Sequence, residues 1–258
     1  MKKCALNILS IILVIAVIVS MAACQKKDSP EEQPVSTSAE KEVTSETVKI
    51  VNIPTDKAAL SDMLNASLNY VDKYCYKYKK TLKCTADISN LGSFSSVSNA
   101  SDAFASVFGE KEITADYDYN ADKKLFSDNF VGGPFEDGEI VSISAKQEDN
   151  TVVITADLVS ENEPTDESGV LHRLGGDYIN SENVKSSLGE FKSSATSIGV
   201  SASGIKIISR ISADDSSLQS LTVEYTEQFA LTGITLVKIK GGAVNGSAKT
   251  TIEYTNFS

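Results

Sequence analysis

The chain predicts an α+β domain in which a long antiparallel sheet packs against an N-terminal helix and short helices. Three observations carry this. An apolar stripe of helical period follows Pro54. Period-two alternation then replaces it and recurs along the rest of the chain, with one parity polar, as in a sheet that has one wet face. Alternating strand and helix units of the kind that build parallel sheets are absent from the pattern.

The domain does not begin at Met1. Met1-Lys2-Lys3 leads into an apolar run from Leu9 to Val19, and Ser20-Met21-Ala22-Ala23-Cys24 follows with small residues before a cysteine. A charged start, an apolar stretch and a small-residue site mark an export signal, not a piece of the fold. The segment resembles the signal peptide and lipobox of bacterial lipoprotein precursors, over about the first 24 residues and with Met21 where leucine is usual. That resemblance implies cleavage between Ala23 and Cys24 and a diacylglyceryl group on Cys24, whose thiolate is a soft nucleophile. Two acyl chains hold a protein on a membrane where one holds it marginally, at ~0.8 kcal/mol per buried methylene. A plain signal peptide and an uncleaved anchor are the alternatives, the latter because Ala5 to Ala23 approaches the ~20 residues that span a bilayer. Each of these places the domain outside the cytoplasm.

From Gln25 to about Lys49 the chain is rich in Ser, Thr, Glu, Lys and Pro and holds no aromatic residue, which predicts a disordered tether. The expected organisation is therefore a signal peptide over 1–23, a lipidated N-terminus and tether over 24–49, and one domain over 50–258. Pro54-Thr55 supplies a stop and an N-cap, and Leu60, Met63, Leu64, Leu68 and Val71 recur on one face of the helix that follows.

Tyr76, Tyr78, Leu82, Cys84, Ala86 and Ile88 then share one parity of a long strand, with Lys77, Lys79, Thr81, Lys83, Thr85 and Asp87 on the other. Further strands are predicted through Val152, Ile154, Ala156 and Leu158 after a turn at Glu148-Asp149-Asn150, and through Ile205, Ile207 and Ile211 before a turn near Asp214-Asp215. Leu221, Val223, Tyr225, Phe229 and Leu231 face inward in the clearest case, with Thr222, Glu224, Thr226 and Gln228 outward. Gly233, Gly241-Gly242 and Asn245-Gly246 divide the remaining strand candidates, which predicts a meander of hairpins ending through Ile252 and Tyr254. Short helices are expected at Ser101 to Phe108 and Ser181 to Leu188.

This order of elements is similar to the layout of bacterial lipoprotein carriers and related lipid-binding lipoproteins. The similarity lies in element order alone, with no residue motif to match. It implies a curved, half-barrel-like sheet wrapped round helices, with an apolar concavity beneath them; a filled core of the same topology is the alternative.

Composition narrows the functions. Loss of residues 1–23 removes Lys2 and Lys3 and no acid, so the formal charge falls from -11 to -13. Acidity of this size argues against a nucleic-acid partner, because phosphates need a basic stripe. Of four cysteines, Cys75 and Cys84 remain after Cys4 and Cys24. On one strand they would sit ~30 Å apart, against the ~6 Å of a disulfide, which predicts two free thiols.

The chain has one histidine, His172, in Val170-Leu171-His172-Arg173-Leu174, and no Gly-x-Ser-x-Gly elbow, so His172 is expected on the surface. Asp116-Tyr117-Asp118-Tyr119-Asn120-Ala121-Asp122 begins like a calcium loop but has Ala121 where glycine belongs and Ser127 where the closing glutamate belongs. A hairpin with Tyr117 and Tyr119 inward and a return strand through Leu125 and Phe126 is expected instead. Zinc lacks ligands at knuckle spacing. Gly132-Gly133-Pro134 and Gly175-Gly176 are turn signals without the lysine of a phosphate loop. Tyr70, Tyr74, Tyr76 and Tyr78, interleaved with Lys73, Lys77, Lys79 and Lys80, are expected to pack inward.

The resulting expectation is a non-catalytic, lipid-anchored extracytoplasmic protein without cofactor or metal, held to the cell membrane through Cys24. It would bind an apolar or amphiphilic ligand, or an envelope protein, on its sheet. The alternatives are an envelope hydrolase using carboxylates between Asp116 and Asp137, and a structural surface lipoprotein without a small ligand.

Overall fold

Asp56 starts the first helix. Its carboxylate accepts the Ala59 N–H at 2.9 Å while its backbone stays extended, which satisfies one of the donors a helix start leaves open. Thr55, the cap expected from the sequence, lies one residue outside, because the oxygen must reach the N–H three positions on. The computed structural model describes residues 49–96, 100–108, 111–118, 135–136, 138–164, 169–175, 178–190, 193–236 and 239–258. Residues Thr47–Ser258 form one compact unit.

The elements in chain order are α1 (Lys57–Tyr74), β1 (Lys77–Asn90), a 3-10 turn (Gly92–Phe94), α2 (Ala100–Val107), β2 (Lys111–Asp118), β3 (Ile140–Glu148), β4 (Thr151–Leu158), β5 (Glu161–Asn162), α3 (Val170–Arg173), α4 (Ser181–Glu190), β6 (Ser193–Ser194), β7 (Ser197–Ser212), β8 (Leu218–Leu236) and β9 (Ile239–Thr255). The strands make one open antiparallel sheet in the order β2-β1-β9-β8-β7-β4-β3, with β5 beside β7 and β6 beside β8. The domain is thus α+β, with β7, β8 and β9 a meander and β1 closing onto β9.

Period three to four gives α1 its buried face. Leu60, Leu64, Leu68 and Val71 are buried, with Met63 beside them, and the helix lies over β3 and β8. Ser67 donates to the Leu64 carbonyl at 2.7 Å and meets the Ser209 hydroxyl of β7 at 3.3 Å, so the polar atoms inside this contact are satisfied. On the sheet, period two sets the inner face. Along β7 a bulge between Ser203 and Lys206, with Gly204 at φ +61°, carries the inward parity from Val200 and Ala202 over to Ile205 and Ile207.

The last two strands differ from the expectation. Gly233, Gly242 and Gly246 lie inside β8 and β9, not at turns between shorter strands. A Cβ on Gly242 would meet the Phe94 ring at 2.1 Å, and one on Gly246 would meet the Asp87 carbonyl at 2.4 Å and the Phe229 ring at 2.5 Å. Close packing across the strand, not chain reversal, requires glycine at both. Tyr76 also departs from its expected inward place and is 52 % exposed. It lies in the corner before β1, its N–H on the Ser258 carbonyl at 2.7 Å, and alternation starts only with Tyr78.

The start of the domain is clasped at one pole. The Gln147 side chain accepts from the Val51 N–H at 3.0 Å and donates to the carbonyls of Lys49 at 2.6 Å and Asp149 at 2.8 Å, while the Lys49 ammonium reaches the Asp214 carbonyl at 2.8 Å. The β3–β4 and β7–β8 turns share this pole.

Candidate functional site

Register decides which outward residues meet. At the end of the sheet away from Lys49, Gly199, Ala230 and Asn245 stand in one row across β7, β8 and β9, and Ser201, Gln228 and Ser247 in the next. With Gly199 and Ala230 contributing almost no side chain, the open face sinks into a depression of about 630 Å³, also lined by Ser89, Val200, Phe229 and Gly246. Among the described residues that line it, none carries a charge. Its size falls within the ~300–1,000 Å³ usual for ligand sites.

Nearer the Lys49 pole the same face is charged. Lys206, Glu224, Thr251, Lys83 and Glu112 form one row across five strands, signs alternating around the threonine. Lys83 lies 3.8 Å from Glu112, and Glu148 takes Lys146 at 2.6 Å and Arg210 at 3.1 Å. The hydrogen bond from Lys146, then that from Arg210, holds the Glu148 carboxyl below its ordinary pKa.

Among the described residues, the inner face is closed by side chains along its central strands. Inward side chains of β7, β8 and β9 are 0–5 % exposed from Val200 to Tyr254. Glu227, which the sequence pattern did not single out, faces inward and is fully buried. Its flanking register partners are Ala202 and Ala248, whose small side chains leave it room, and it accepts the Ile179 N–H at 2.5 Å.

Among the described residues, those singled out by the sequence do not converge. His172 is exposed on α3, with the Tyr178 hydroxyl 3.5 Å from Nδ1. Asp116 and Asp118 lie on β2, where Asp118 pairs with Lys77 at 2.9 Å; the rest of the calcium-like run, with Leu125 and Phe126, lies outside the described residues, as do Gly132, Gly133 and Gly176. Tyr117 stacks on Tyr78 with ring centroids 4.8 Å apart. Among the described residues, no three His, Cys, Asp or Glu side chains are grouped to hold a metal ion.

Cys75 and Cys84 are both free thiols. Burial pushes the Cys75 thiol up, away from the thiolate that reacts. Arg173 pairs with Glu139 beneath its own contact with the Phe135 ring. Partial burial works to raise the Glu139 pKa, but the Arg173 hydrogen bond and the Glu136 N–H prevail and lower it.

Cys24 and Ala23 lie outside the described residues, and among those described no helix is long and apolar enough to cross a membrane. Gln228 was legible as an outward residue of its strand. Gly199 and Ala230 were not, because only register brings them together over 31 residues of chain. No family model, curated protein or solved structure matches the chain.

Proposed function

We propose that this chain is a lipoprotein of the bacterial cell envelope, anchored through a diacylglyceryl group on Cys24 and facing the extracytoplasmic side, that binds another envelope protein through the open face of its sheet. The export-signal pattern ending at Cys24 supports the anchor and the membrane localisation. A half-barrel-like curvature of the sheet belongs to the same reading, supported by the bulges along β7 and β8 that increase twist and bend a strand.

One observation carries the binding role: an uncharged depression of about 630 Å³ on the outside of a chain whose net charge is -11. Outward positions on an antiparallel sheet ordinarily hold polar or charged side chains, as at Lys206 and Glu224 here. Glycine and alanine at Gly199 and Ala230 weaken a strand and serve a face that something else covers. An apolar or amphiphilic ligand beneath the helices is the weaker version of this reading, since the inward side chains are closed to solvent.

Photo-crosslinking in the producing cells tests the proposal, with the reactive residue placed at Gln228 or, as a control on the charged half, at Glu253. A discrete adduct from Gln228 that disappears in the Gly199→Leu background is expected. Adducts that are equal at both positions, or that persist with Gly199→Leu, reject the open face as the binding surface. The intact mass of the membrane-extracted protein checks the anchor: an N-terminus other than a lipidated Cys24 removes it.

A further inference from the structure

The lining of the depression selects a chemical class of ligand. Beneath it β8 is paired on both sides and β9 on both sides except where the β1 ladder is interrupted between Asp87 and Asn90, so a bound molecule meets mainly side chains. The polar groups on offer are the carboxamides of Gln228 and Asn245 and the hydroxyls of Ser201, Ser247 and Ser89. Ser89 is engaged, donating to the Asn245 carbonyl at 3.1 Å, whereas the side chains of the other four make no hydrogen bond with another described residue. The absence of charge disfavours ionic ligands. Among the described lining residues Phe229 is the one aromatic ring, but it is 3 % exposed and stacks inward on Phe108, so it offers no ring face to a sugar.

A carboxamide carries a donor and an acceptor side by side, the same complement as a peptide group. Gln228 pairs with Ser247 and Ala230 with Asn245, so Gln228 and Asn245 are diagonal neighbours, a relation that places side chains about 7–8 Å apart. An extended chain presents peptide groups on one side every second residue, a repeat of about 6.6–6.8 Å. The two lengths differ by about 1 Å, which the rotatable carboxamide side chains can span.

We infer that the depression grips an extended, uncharged stretch of polypeptide, with Gln228 and Asn245 hydrogen-bonded to alternate peptide groups and Gly199 and Ala230 leaving space for its inward side chains. This rests on the reading of the open face as a binding surface. It adds the conformation and polarity of what is bound, and it gives the two carboxamides the role of reading backbone, so that sequence preference comes from the size and charge of the side chains that fit above Gly199 and Ala230.

The test uses the full chain in detergent and fluorescent, end-capped peptides built from Gly, Ala, Ser, Thr, Asn and Val, with a neutral N-acetylglucosamine oligomer as the competing probe. Wild type is expected to bind the peptides. The Gln228→Ala/Asn245→Ala double variant is expected to bind them at least about tenfold more weakly, as loss of two hydrogen bonds implies. Gly199→Leu, which meets no atom within 4 Å at its Cβ, is expected to abolish binding with the fold intact. Thermal melting of each variant confirms that intact fold. Peptide binding that ignores the double variant overturns the carboxamide grip. Binding of the sugar in a Gly199→Leu-sensitive manner, with none of the peptides, overturns the ligand class but leaves the site standing. If no probe responds to Gly199→Leu, the inference and the binding surface beneath it both fall.

Discussion

Along β7, β8 and β9 the open face of one sheet divides into two halves of different chemistry. Near the Lys49 pole its rows carry Lys206 and Glu224, with Arg210 and Glu148 close by, and opposite charges answer one another across strands. At the far end the rows carry glycine, alanine, serine and two carboxamides. The charged half does what a wet sheet face needs: it keeps the protein soluble and discourages adventitious contact. The uncharged half is built from small side chains and carboxamides that offer no cross-strand charge pairs. One sheet with one inner core supports both, so the difference is not a demand of the fold, and it is the far half to which the proposed binding is assigned.

The sharpest way to break this comparison uses two glycines that line the same depression from opposite sides of the sheet. Gly246→Val drives a side chain into the Asp87 carbonyl and the Phe229 ring, and is expected to cost stability at the upper end of the ~1–3 kcal/mol of overpacking, or more. Gly199→Val meets open space and gains a strand-favouring side chain, so urea unfolding should show it unchanged or more stable by about 0.5–1 kcal/mol. A loss at Gly199 as large as that at Gly246 would mean that the depression is part of the packing and not a vacant surface.

The smallest effect belongs to the charged half and depends on pH. Glu148 titrates below its ordinary value in the folded chain, mainly through the Lys146 hydrogen bond and then that of Arg210. Its contribution is therefore present above the unfolded-state pKa and lost as pH falls through the folded one. Urea midpoints measured from neutral to acid pH should fall slightly more steeply for wild type than for Glu148→Gln, and added salt should narrow the gap because the group is exposed. An identical acid limb in both proteins would show that these charges serve solubility alone.

Periodicity made much of the fold legible before any coordinates. Leu60, Leu64, Leu68 and Val71 announce α1, and the inward parity of Leu221, Val223, Tyr225, Phe229 and Leu231 holds along β8. What parity cannot carry is register. β3 was not assigned, because Ile140, Ile143 and Ala145 give it a thin inner face that an edge strand tolerates. Gly242 and Gly246 read as turns because a glycine that avoids Phe94 or Phe229 looks the same in sequence as one that reverses the chain. The depression was illegible for the same reason: Gly199, Ala230 and Asn245 become one row only when three strands are aligned. Glu227 broke the pattern of inward apolar residues, and only the structure supplies the Ile179 N–H and the two alanines that accommodate it.

The clasp of Lys49 and Val51 by Gln147 also has a mechanical meaning. It ties the start of the domain beside the β3–β4 turn, while the depression lies toward the other end of β8, on the order of 40 Å away from Leu218 to Ala230 at ~3.3 Å per residue. With the anchor proposed at Cys24, tension between a membrane and a bound partner runs lengthwise along the long strands. Pulling of that kind loads many ladder hydrogen bonds in parallel, whereas pulling across a sheet opens them one after another. Under that proposal the meander of β7, β8 and β9 would lie along the line of load and resist force in its strongest direction.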